Sequence, residues 1–361
     1  MKITGLRCVQ VEIPLEKPIR TAIHDVRSVG CVLAYLDSEA GISGEAYNFT
    51  MNAVRLDVLQ AMVESFAPHV VGKDVNDVEG IWDAMWRDSN FFGQKGISVF
   101  AMSTIDTACW DLAGKAAEQP LHKLFGACRD SVDVYASGGL WLSYSTDELV
   151  EEARDFLARG FRAMKIRVGK KNIEEDVARV AAVRDAIGPE TTLMADANQG
   201  FTADHAIRFG RRVEELNLYW FEEPVPAWDL QGHAAVAAAL DTPIASGETE
   251  YTRYGMRDML QAKAADILMP DLQRIGGLSE FRRVANLASS FDVPISTHIF
   301  TEQSHCIAGS ALNCIYLEHM PWFESLYRER MQLVDGRMAM PQGHGLGFTF
   351  DPDAVDRYRI K

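Results

Sequence analysis

The sequence predicts an α/β protein in which a parallel barrel follows a smaller α+β unit. Three observations carry that prediction. Beyond residue 130, short apolar runs alternate with amphipathic helical patterns, which is the grammar of βα units and not of hairpins. Eight such runs fit into about 200 residues, which suits a closed barrel better than an open sheet. Finally, Asp196, Glu222 and Glu248 stand 26 residues apart twice over, closing the runs TTLMADAN, LYWFEEP and TPIASGE. A βα repeat of roughly 25 residues sets that spacing, so the three acids fall at consecutive strand ends.

Taken in order, KITGLRCVQVEI, CVLAYLDS and GISGEAY read as strands within the first 50 residues or so. Helical spacing follows over 54–67, 77–87 and 98–117, completing an α+β unit assigned to residues 1–125. The barrel is assigned to 126–331. Its strands are expected near 132–136, 161–168, 192–197, 218–222, 243–247, 266–270, 294–298 and 314–318. Between them, Ser145-Thr-Asp-Glu148 reads as a capping box and Gly160 as the end of the first barrel helix. Further helices are expected over 172–187, 203–216, 229–240, 252–262, 277–291 and 303–313. The segment 332–361 reads as a hairpin or strand returning to the first unit.

Composition narrows the function classes. A net charge of -15 with no basic run argues against nucleic acid or anionic membrane as a partner. Six cysteines without a CxxC pair read as reduced thiols of a cytoplasmic protein and make zinc a poor candidate. No continuous apolar stretch reaches the length of a membrane span.

Strand ends are where barrel enzymes place chemistry. The second ends in Lys165 and Arg167, which alternation puts on one face while Met164, Ile166 and Val168 face the helices. An all-carboxylate set of Asp196, Glu222 and Glu248 favours a hard cation such as Mg²⁺. Asn198 shares the Asp196 face, whereas Glu223, by alternation, is expected to point away as a structural residue. The sixth and seventh ends supply Asp271 and His298, and an aspartate on one imidazole nitrogen makes the other a general base. Ser137 and Glu318, at the first and eighth ends, are expected to hold a substrate carboxylate. In the loop after the first strand, His24, Asp25 and Arg27, with Asn48 and Asn52, are candidates for binding hydroxyls. Trp141 and Tyr144 pack on the pocket or on a neighbouring helix.

Lys165-Ile-Arg167, the Asp196/Glu222/Glu248 triad, Phe221-Glu-Glu-Pro224, the Asp271 and His298 pair and Glu318 together resemble the ordered motifs of the enolase superfamily, in its mandelate racemase subgroup. The similarity extends to PLEKPIRTAIHDV and STHIFTEQSH, nearly the whole chain. It implies a modified (β/α)7β TIM barrel with an N-terminal α+β capping domain and a homo-oligomer, dimer or octamer. It also implies a small-molecule carboxylate substrate whose α-proton is abstracted with Mg²⁺ stabilising an enediolate. One departure bears on the reaction. Where the racemase has a second lysine, this chain has Arg167, and a guanidinium makes a poor base. One-base dehydration of a sugar acid to a 2-keto-3-deoxy acid is therefore expected ahead of racemisation or epimerisation. Cycloisomerisation of a lactone or anhydro acid is the close alternative, and a catalytically silent ligand-binding barrel the non-enzymatic one.

Overall fold

The computed structural model describes residues 1–360. β1 (Ile3–Arg20), β2 (Asp25–Ser38) and β3 (Ser43–Met51) form an antiparallel sheet in the order β1-β2-β3. Its central strand is buried on both sides. Cys31, Leu33 and Tyr35 join the core shared with the barrel, while Ala34 and Leu36 pack with the helices Val78–Asp88 and Ile97–Ala116. This is the two-residue alternation of a strand between two layers. Close approach of the long helix requires Gly44, where a Cβ would lie 2.1 Å from the Ala108 carbonyl oxygen.

The barrel strands are β4 (Ser131–Ala136), β5 (Ala163–Arg167), β6 (Thr192–Asp196), β7 (Phe221–Glu222), β8 (Ile244–Ser246), β9 (Ile267–Leu268), β10 (Ile295–Ser296) and β11 (Cys314–His319). All neighbours pair in parallel, and β11 closes on β4 through Leu317 opposite Val134 and Glu318 opposite Tyr135. Helical connections fill the seven crossovers, and the eighth strand is followed only by a short 3-10 turn, Pro321–Leu326, before the chain leaves the barrel, giving (β/α)7β. Met164, Ile166 and Val168 face outward into the core under the helices. Inside, Tyr135, Met194, Trp220, Ile267 and Met269 plug the barrel, so a floor underlies the strand ends. The capping box forms as expected: the Glu148 N–H donates to Ser145 Oγ at 3.3 Å and the Ser145 N–H to Glu148 Oε2 at 2.8 Å.

The C-terminal segment divides its contacts differently from the expectation. β12 (Leu333–Val334) and β13 (Arg337–Ala339) form a hairpin that pairs with β4, so this stretch stays with the barrel. Only later residues reach the N-terminal unit, where Leu121 N–H donates to the Gly345 carbonyl at 2.8 Å and Ile360 N–H to the Gln10 carbonyl at 3.0 Å. Lys361 lies outside the described residues. Among those residues no helix is long and apolar enough to cross a membrane.

Candidate active site

Register brings the charged strand ends to one level. Arg167 lies opposite Asp196 and Asp196 opposite Glu222, while Glu248 stands just past the end of β8. Above them a narrow cavity of ≈ 60 Å³, partly open to solvent, lies between the strand ends and the loop joining β1 to β2. Arg167, Asp196, Asn198, Glu248 and His298 line it, with Trp141, Met320 and Trp322 on one wall and His24 at the rim.

Lys165 lies beneath, 1% exposed, with Nζ 2.6 Å from Glu222 Oε1, 3.1 Å from Glu318 Oε1 and 3.6 Å from Asp196 Oδ2. Burial alone would lower its pKa, but Glu222 and Glu318 outweigh that and keep the amine protonated. Arg167 contacts Asp196 Oδ2 at 3.3 Å, donates from Nη2 to Ser137 Oγ at 3.0 Å, and packs 4.8 Å from the Trp141 ring centre. Its Nη1, although buried, has no hydrogen-bond partner among the described residues.

On the opposite arc, Asp271 Oδ2 lies 2.7 Å from His298 Nδ1. Asp271 Oδ1 accepts the Arg274 N–H at 2.8 Å, so the carboxylate is fixed at both oxygens. The other imidazole nitrogen, Nε2, faces Glu248 Oε2 at 3.3 Å. Burial pulls the imidazole pKa down, but Glu248 and then Asp271 more than reverse this and raise it to about 9.

Asp196, Glu222 and Glu248 supply six oxygens and no sulfur or nitrogen, the donor chemistry of a hard divalent cation. Their charge fits as well. Asp196, Glu222, Glu223, Glu248, Asp271 and Glu318 face Lys165, Arg167, Arg274 and His298, which leaves two negative charges in excess even with the imidazole protonated. Burial, followed among the acids by mutual repulsion, accordingly raises Glu222 to about 8 and Glu248 to about 7, although Lys165 and His298 oppose this. Among the described residues, however, no three of these side chains are gathered so as to hold an ion. Each of these carboxylates is turned toward a nearby cation instead: Glu222 to Lys165, Glu248 to His298 and Asp196 to Arg167. Donor type and charge fit the ion, and the side chains are arranged as ion pairs.

Residues 3–126 match the mandelate racemase / muconate lactonizing enzyme N-terminal domain, and residues 148–354 match the enolase C-terminal domain-like family. The chain belongs to the enolase superfamily, in its mandelate racemase subgroup. It is 36% identical to L-talarate/galactarate dehydratase of Salmonella typhimurium over 97% of this chain and 91% of that protein. It is 33% identical to D-galactarolactone cycloisomerase of Agrobacterium fabrum over 100% of this chain and 99% of the other. A crystal structure of the Salmonella dehydratase liganded with Mg and L-lyxarohydroxamate superposes with a TM-score of 0.95 at 34% identity, covering 100% of this chain and 93% of that one.

Within this mandelate racemase-like site, several sequence-based placements change. Glu223 does not point away: β7 ends at Glu222, the Glu223 backbone takes φ 40°, and its side chain lines the cavity, accepting from Gln199 at 3.1 Å and Thr249 at 3.0 Å. Strand alternation no longer applies once the strand has stopped. Ser137 and Glu318 lie behind Arg167 and Lys165, both fully buried, and neither lines the cavity. Glu318 accepts from the Ile299 N–H and is a carboxylate; burial would raise its pKa, but Lys165 and His298 hold it near 2. Arg27 points away from the cavity on β2 and is exposed, its N–H bonded to Asn52 Oδ1 at 2.8 Å. Asp25 pairs with Arg20 on the surface, and Asn48 donates to the Phe100 carbonyl, so these loop residues serve the cap itself. Arg274 and Gln199 are cavity residues that the sequence reading missed. Asn198, beyond the end of β6, lines the cavity and braces Asp196 through its N–H at 2.7 Å and Nδ2 at 3.1 Å.

Proposed function

We propose that this protein is a Mg²⁺-dependent hydro-lyase that removes water from a sugar acid, an aldonate or aldarate, to give a 2-keto-3-deoxy acid. The observation that carries the reading is the asymmetry across the cavity. One arc presents an imidazole oriented by a carboxylate; the other presents Lys165, held protonated, and the guanidinium of Arg167. Only one side can exchange a proton.

The substrate carboxylate would lie against the free Arg167 donors and the Lys165 charge. His298 Nε2, once released from Glu248, takes the α-proton, and the C–H electron pair moves into the carboxylate. Bound Mg²⁺, held by Asp196, Glu222 and Glu248, would supply positive charge where negative charge accumulates. The imidazolium then returns its proton to the departing 3-hydroxyl; the C3–O bond breaks, water leaves, and the C2 enol tautomerises to the ketone. Asp271 holds the imidazole tautomer through both states.

Similarity to a cycloisomerase favours one further reading, in which a ring oxygen leaves instead of hydroxide. Incubation with a library of aldonic and aldaric acids separates the two. Formation of 2-keto-3-deoxy acids is expected; turnover confined to lactones or anhydro acids would sink the dehydratase. The same reading makes the protein a cytoplasmic homo-oligomer, dimer or octamer. Its six free cysteines and the exposed rings of Phe91 and Trp228 support that.

A further inference from the structure

A second cavity adjoins the catalytic one. Its volume is ≈ 360 Å³, it is partly open to solvent, and it shares His24, Phe49, Met51 and Arg274 with its neighbour. The two differ in charge. Asp196, Glu223 and Glu248 line the inner space, whereas the outer space has Arg55 and Arg274 and no carboxylate. In a chain with 51 acidic residues against 36 basic, this wall runs against composition.

Arg274 is the hinge between the spaces. Its Nη1 is buried without a hydrogen-bond partner among the described residues, and the nearest acid, Asp271, lies at 3.4 Å with both oxygens already accepting other donors. The guanidinium is thus incompletely satisfied where it lines both cavities. It stands 6.0 Å from the Phe100 ring centre, and Phe49 forms part of the shared wall. A terminal hydroxymethyl group would leave such donors facing a neutral oxygen; a carboxylate meets their fork with two acceptors.

We propose that Arg274, with Arg55 at the outer rim, is the subsite for a second carboxylate, so that the substrate is an aldarate and not an aldonate. This rests on the reading that the chain acts on a sugar acid, and it specifies which class. The first carboxylate occupies the Arg167 side and the second lies across the cavity against Arg274.

The test compares each aldarate with the aldonate of the same configuration, using the Mg²⁺-loaded protein. Expected is a kcat/KM for the reactive diacid about tenfold to a hundredfold above its monoacid partner. Arg274→Gln and Arg55→Gln should each shrink that ratio, mainly through KM for the diacid. A merely structural role of Arg274 beside Asp271 would slow both substrates alike and leave the ratio intact, which overturns the subsite, as does equal turnover by the unmodified protein. If no pair is turned over, the dehydratase reading fails, and calorimetry then decides the subsite separately. With His298→Asn and Mg²⁺, xylarate should bind more tightly than xylonate, and Arg274→Gln in that background should remove the difference; equal binding overturns the proposal.

Discussion

The two arcs that face each other across the cavity are both buried and both charged, yet their charges behave differently. Lys165 and Arg167, 1% and 4% exposed, are cations locked among Glu222, Glu318 and Asp196. His298, 7% exposed, is raised to about 9 by Glu248 and Asp271 against the pull of burial, and as an imidazole it can give up and take back a proton once Glu248 is turned away. Burial alone therefore does not decide which group moves protons. The kind of group that the surrounding carboxylates stabilise decides it, and here a protonated amine and a guanidinium stand opposite an imidazole.

The comparison breaks first at the imidazole. His298→Asn should lower α-proton exchange, followed by NMR in deuterated water, roughly 10²- to 10⁴-fold while Mg²⁺ binding is retained. Exchange that persists would move the base elsewhere. Arg167→Lys erases the asymmetry by placing a group that can deprotonate on the other arc. Dehydration should slow by less than in the histidine variant, and the C2 epimer of the substrate should appear by chromatography; its absence would mean that the arginine is not what confines chemistry to one face. The smallest effect belongs to Ser137→Ala, which removes the 3.0 Å acceptor behind Arg167. One hydrogen bond to a charged group there should change kcat/KM about tenfold, and a loss well beyond about a hundredfold would give Ser137 a direct part in binding substrate.

Much of the site was legible because its members close strands. Lys165, Asp196, Glu222, Glu248, Asp271 and His298 each follow a short apolar run, and in a parallel barrel that position has one meaning. What escaped lies beyond the strand ends. Glu223 turns inward through φ 40°, which no local residue pattern announces. Arg274 sits on the four-residue helix Leu272–Ile275, capped by Asp271 itself. Its three-residue spacing from Asp271 was the available signal, since residues so spaced share a helix face. Arg27 was misplaced because a loop was expected where β2 had already begun, and strand alternation turns its side chain away from the site.

By itself the sequence determined the barrel, the identity of the strand-end acids and cations, and the presence of one imidazole with an aspartate to orient it. These follow from periodicity and from the few side chains that can do each job, both of which are local properties. The tertiary structure decided which carboxylate meets which cation, and that Ser137 and Glu318 lie behind the reacting side chains instead of beside them. It also set a positively lined cavity against an acidic one. Those outcomes depend on where separate strands and the cap converge, and charge in a buried site takes its value from neighbours that are distant in the chain.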